Sequence, residues 1–184
     1  MQSFILSLTL FRILAAPLIF ILAILFQSYW IAFWLFNIAA LTDYFDGKLA
    51  RKFNFESKLG SILDPIGDKL LLLFAIITVM VFTQDVYVAF IGAFILAREF
   101  WVSALREFTS SNNISNLTSV TFIAKLKTTA QFISIGMYFF GQASNIAIIS
   151  FLANFMLLLS LLLAYKSAFE YSQKLITPQK KSKE

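Results

Sequence analysis

Between Asp43 and Asp68 the chain reads DYFDGKLARKFNFESKLGSILDPIGD, a stretch that places Asp43, Asp46, Asp64 and Asp68 among Gly47, Arg51 and Gly60. Carboxylates are hard oxygen donors, and acids in matched register suit divalent cations such as Mg2+, Mn2+ or Ca2+. Asp43, Asp46, Gly47, Ala50 and Arg51 step by three or four residues, so on a helix they share one face. Gly60, Asp64 and Asp68 repeat the device on a second helix. Four carboxylates held close repel one another unless cations compensate them. Two divalent ions beside an arginine suit a phosphate ester or diphosphate, and phosphoryl-type transfer is the reaction class expected. Salt bridging of the acids to Lys48, Arg51 and Lys69 is the plainer alternative, but it needs neither the glycines nor the matched register.

Composition narrows the chemistry further. The chain has no Cys and no His, which removes thiolate nucleophiles, imidazole bases and Cys/His zinc sites. Any metal is then held by oxygen, and a carboxylate is the expected general base. No Gly-rich phosphate loop of the Walker type is present.

The elements that must position these groups are membrane spans. The 184 residues are 59% hydrophobic and include 22 Phe, well above the roughly 45–50% apolar share of soluble domains. Apolar runs at about 3–27, 29–52, 61–83, 86–108, 120–140 and 145–171 predict an all-α, polytopic membrane protein with six transmembrane helices in a single domain, 1–172. The first run has neither a preceding cation nor a cleavage site and is expected to be retained. Residues 173–184, QKLITPQKKSKE, are expected to form a basic, disordered tail.

Charge sets the orientation. The turns near Gln27, Gln84 and Gly141 to Asn145 carry no Lys or Arg, whereas the basic residues lie towards the opposite ends of the spans. The positive-inside rule puts both termini and the acidic motif on the cytoplasmic side, around a polar metal-binding cavity open to that side. The net charge of +5 belongs to these membrane flanks, and no aromatic-basic motif points to nucleic acid. A second cationic group, Arg98, Arg106, Lys125 and Lys127, falls on two further helices within AREFWVSALRE and AKLKTTAQ. Cations from two helices facing one cavity would make a pocket for a second anion. Pairing of the arginines with Glu99 or Glu107, and snorkelling of the lysines, is the alternative.

The pattern Asp43-x-x-Asp46-Gly47-x-x-Ala50-Arg51, then eight residues, then Gly60-x-x-x-Asp64-x-x-x-Asp68 resembles the signature of the CDP-alcohol phosphatidyltransferases. The resemblance implies a six-helix membrane fold, a homodimer, and transfer of a phosphatidyl group from CDP-diacylglycerol to an alcohol with release of CMP. It implies that Asp43 and Asp64 bridge two metal ions, Mg2+ or Mn2+, that Asp46 serves one and Asp68 the other, and that Asp68 is also the base. Gly47, Arg51, Ser57 and Gly60 match positions at the CDP moiety. The stretch SLTLFR is similar to the family's entry to the nucleotide site and offers Thr9, with Leu6 where that pattern has Asn. The stretches around Arg98 and Lys125 look like the branch that uses glycerol 3-phosphate, with Ala124 where that branch has Gly. A sibling acting on serine, inositol phosphate or phosphatidylglycerol is the near alternative, and a divalent-metal transporter the distant one. The small size and brief tails suggest the inner membrane of a bacterium.

Overall fold

A computed structural model describes residues 2–53, 58–112 and 122–176, with side chains described for 6–42, 60, 62–112, 126–173 and 175. The order is α1 (Gln2–Phe20), a π-helical segment (Ile21–Leu25), α2 (Tyr29–Phe53), α3 (Lys58–Thr83), α4 (Val86–Ser111), α5 (Phe122–Ser144) and α6 (Ala147–Ile176). Every described element is a helix, as the apolar runs predict. α3 begins at Lys58, so Gly60 shares its helix with Asp64 and Asp68 as the motif spacing predicts, while α4 and α5 run a few residues past their apolar runs, to Ser111 and Ser144, and α6 continues to Ile176, into the stretch expected as a tail. Ala168 and Tyr171, at the end of the apolar run, are buried, and the helix runs on past them into the polar stretch.

Three connections are tight and turn on a residue in the left-handed region: Gln27 (φ 50°), Gln84 (φ 50°) and Asn145 (φ 56°). These are the cation-free turns of the sequence. Asp85 caps α4, its carboxylate accepting the Tyr87 backbone N–H at 2.8 Å. Pro17 sits inside α1, where it removes one backbone donor. The wider π-helical turn follows, with Phe26 N–H donating to the Ile21 carbonyl.

Packing closes the helices into a ring in the order α1, α2, α5, α6, α4, α3 and back to α1, with α3 also touching α5. The seams are built from small residues: Ala16, Ala23, Ala32, Ala39, Ala75, Ala153 and Ala164 are fully buried. Without Cβ branches to hold the backbones apart, helices approach closely, which is how membrane helices gain dispersion energy. Many large apolar side chains point outward, with Leu14 at 70%, Phe151 at 67% and Leu25 at 69% exposure, while Phe36, Tyr138 and Phe139 fill the interior. An apolar exterior around an interior that holds Thr9, Arg12, Arg98, Lys127 and Gln131 inverts the soluble pattern. Among the described residues, four helices are long and apolar enough to cross a membrane: Leu6–Leu25, Ile62–Thr83, Val86–Ser111 and Ala147–Gln173. α2 contributes a shorter apolar stretch, Tyr29–Thr42, before its acidic motif.

Candidate active site

α1 and α3 pack against each other along their length and bring two pairs of polar residues together. Thr9 and Arg12 lie one turn apart on α1, and Asp64 and Asp68 one turn apart on α3. The Thr9 hydroxyl donates to Asp64 Oδ1 at 2.5 Å. The Arg12 guanidinium donates through Nη1 to Asp68 Oδ1 and through Nη2 to Asp64 Oδ1 at 3.5 Å. Its side chain is completely buried, while those of Asp64 and Asp68 are 41% and 48% exposed. The cation is thus sealed between helices and the acids open outward from it. Gly67, between the acids, is buried, and a Cβ there would lie 3.6 Å from Ile13 and 3.7 Å from Thr9. α1 therefore runs close beside the acidic face of α3.

Arg12 has no role in the motif reading, yet it is the residue on which Asp64 and Asp68 converge. One signal could have found it: it is the only charge in residues 3–27, and a charge inside an apolar span usually has a buried partner or a function. Thr9, expected at the nucleotide, gives its hydroxyl to Asp64. The side chains of Asp43, Asp46, Gly47, Arg51 and Lys125 lie outside those described, although α2 carries the first four and α5 the last; Ser57 lies outside the described residues altogether. Gly60 is buried near the start of α3.

The donor set fits a hard divalent cation. Asp64 and Asp68 present half-open carboxylates, and the chain has no His or Cys to favour a softer metal. Among the described residues no group of three or more acidic side chains forms; the expected partners Asp43 and Asp46 have side chains outside those described.

A second polar centre lies where α4, α5 and α6 meet. Arg98 is 2% exposed and Lys127 6%, both unusual for cations. Arg98 Nε donates to the Ala164 carbonyl of α6 at 2.9 Å, and its Nη1 donates to Glu99 Oε1 at 3.0 Å. Lys127 Nζ donates to the same Glu99 oxygen. One carboxylate thus serves two buried cations. Arg106 sits at the rim of this centre: it is exposed on the last turns of α4, close enough to act electrostatically on Lys127, with its guanidinium 5.7 Å from the Tyr171 ring centroid. The pairing of Arg98 with Glu99 weighed from the sequence is present, and Lys127 joins it.

Known proteins extend this picture. The profile of the CDP-alcohol phosphatidyltransferase family matches residues 6–166. Relatives named CDP-diacylglycerol--glycerol-3-phosphate 3-phosphatidyltransferase include one from Wigglesworthia glossinidia brevipalpis, 35% identical over 89% of this chain and 90% of the relative. That of Escherichia coli K12 is 37% identical over 70% of this chain and 71% of its own length. That of Cereibacter sphaeroides is 41% identical over 73% of this chain, a match spanning 62% of the relative. The matched region takes in both polar centres and the whole acidic motif, and with these likenesses along its length the chain belongs to the CDP-alcohol phosphatidyltransferase family.

Proposed function

We propose that the chain transfers the phosphatidyl group of CDP-diacylglycerol to glycerol 3-phosphate, releasing CMP, at the cytoplasmic face of a bacterial inner membrane. The observation that carries this reading is the presence of two separate polar centres in an otherwise apolar helical ring. One is acidic, at Asp64 and Asp68; the other is cationic, at Arg98 and Lys127. A diphosphate donor needs the first and an anionic acceptor needs the second. The names of the relatives support the same donor and acceptor. In this reading all six helices span the bilayer, both termini face the cytoplasm, and the protein works as a homodimer.

Asp43, Asp46, Asp64 and Asp68 would hold two divalent ions, Mg2+ or Mn2+. When bound, such ions would neutralise charge on the attacked phosphoryl group and on the leaving group together. Arg12 and Thr9 orient Asp64 and Asp68 from the α1 side. Gly47, Arg51, Ser57 and Gly60 line the path of the CDP moiety. Arg98, Arg106, Lys125 and Lys127 attract the acceptor phosphate. Asp68 takes the proton of the acceptor hydroxyl, whose oxygen forms a bond to the lipid-side phosphorus. The bond from that phosphorus to the bridging oxygen breaks, and its electron pair leaves with CMP.

The test is direct. Purified protein receives CDP-diacylglycerol, Mn2+ or Mg2+ and a panel of acceptors: glycerol 3-phosphate, serine, inositol phosphate and phosphatidylglycerol. CMP release with glycerol 3-phosphate alone is expected. Release with another acceptor instead overturns the acceptor assignment, and metal flux into proteoliposomes without CMP release overturns the reaction.

A further inference from the structure

Gln131 is completely buried on α5, and neither its Nε2 nor its Oε1 has a hydrogen-bond partner among the described residues. An amide sealed without partners is costly enough that native proteins rarely keep one without a ligand or water to satisfy it. The surroundings indicate which. Gln131 lies one turn from Lys127 on the same face of α5, and Lys127 donates to Glu99. A second orphan, the buried hydroxyl of Ser167, lies about one turn beyond Ala164, whose carbonyl accepts from Arg98. Two buried polar groups without partners thus flank two buried cations that share a single carboxylate. The cluster of Arg98, Lys127 and Glu99 carries a net positive charge, which a bound anion would balance.

We infer that Gln131 is a specificity-determining residue that hydrogen-bonds the acceptor's non-reacting hydroxyl while Arg98 and Lys127 hold its phosphate. This rests on the proposed function and deepens it. A side-chain amide offers a donor and an acceptor at adjacent atoms. A polyol phosphate, with a free hydroxyl on the carbon next to the one that bears the phosphate ester, presents the complement. Serine carries no phosphate for the cations.

The experiment compares glycerol 3-phosphate with 3-hydroxypropyl phosphate, which keeps the primary hydroxyl and the phosphate but lacks the central hydroxyl. Wild-type protein should prefer glycerol 3-phosphate by roughly tenfold or more in kcat/KM, because a site built for a hydroxyl penalises its loss. Gln131→Met, of similar size and apolar, should erase that preference and raise KM for glycerol 3-phosphate by about tenfold. KM for CDP-diacylglycerol should not change, and Tm should hold or rise because an unsatisfied amide has been removed from the interior. A residue that only supports the fold would lower Tm and leave the preference intact. Equal use of the two acceptors by the wild type overturns the inference without any variant, as does an unchanged preference in folded Gln131→Met. A wild type that releases CMP with serine but with neither phosphate overturns the acceptor reading and this inference with it.

Discussion

Arg12 donates to Asp68 across 56 residues of sequence, from a position where its side chain is completely sealed between helices while the carboxylate is about half open. The same guanidinium reaches Asp64 at 3.5 Å. A planar fork can hold two carboxylates in a fixed relation in a way that a point charge cannot. Arg12→Met is expected to lower kcat/KM by about 10- to 100-fold, with Arg12→Lys falling between it and the wild type. Steady-state CMP release, with a melting curve to check folding, makes the comparison. Wild-type turnover in a folded Arg12→Met protein would show that α3 positions its acids without help from α1.

How much of this was legible in the sequence depends on the range of each interaction. Asp64 and Asp68 follow from helical periodicity, a local property, and α3 places them on one face as their spacing predicts. Arg12 is not legible as their partner because it lies 52 and 56 residues away from them, and a lone cation in an apolar run reads alike whether it snorkels or pairs. The cationic centre was half legible. The sequence offers Arg98 and Lys127 within a group of four cations, with Arg106 and Lys125, but Glu99 as the oxygen that joins these two depends on α4 and α5 both packing on α6. Arg106 shares the sequence features of Arg98, yet it lies about two turns further along α4, beside Tyr171. The ring order of the helices rests on which alanine faces meet, and every span carries alanines.

The reaction should depend on a divalent ion and on Asp68 separately. Chelation with EDTA is expected to abolish CMP release, and Mg2+ or Mn2+ to restore it. Asp68→Asn removes the base while keeping size and polarity, and should lower kcat by about 10²- to 10⁴-fold, the range of general base catalysis. Full metal-dependent turnover by that variant would remove Asp68 from the base role.

Lys127 and Arg106 separate a buried cation from an exposed one. Lys127→Ala is expected to raise KM for glycerol 3-phosphate by about tenfold or more while leaving KM for CDP-diacylglycerol unchanged. Arg106→Ala should have a smaller effect on acceptor KM, and on stability no more than the roughly 0.5–1 kcal/mol of an exposed cation–π contact. Equal acceptor KM changes for the two variants would mean that burial does not rank these cations.

Two glycines of α5 test the packing of the ring. A Cβ at Gly141 would meet the Ser150 Oγ at 2.7 Å and the Ser150 backbone nitrogen at 3.3 Å. The hydroxyl can rotate away, but the backbone cannot. At Gly136 the nearest atoms are 3.9 and 4.0 Å away. Gly141→Ala should therefore cost about 1–3 kcal/mol by overpacking the α5–α6 turn. Gly136→Ala should be neutral or stabilise by up to about 1 kcal/mol through helix propensity. Thermal unfolding in one detergent would compare them, and the reverse order would refute the close approach of α6 at Gly141.

Glu99 gives the sharpest test of the cationic centre, because its carboxylate alone joins Arg98 and Lys127 among the described residues. Glu99→Ala leaves two buried like charges without their shared anion, and breaking a buried pair from one side costs about 3–5 kcal/mol. Glu99→Gln keeps an acceptor oxygen and should lose less. If the centre is an anion site, glycerol 3-phosphate supplies the missing negative charge. Its addition should then raise the Tm of Glu99→Ala by more than it raises that of the wild type, through binding to the folded state alone. A fall in Tm that the acceptor does not reverse would leave Glu99 as a structural counter-ion and place the phosphate elsewhere.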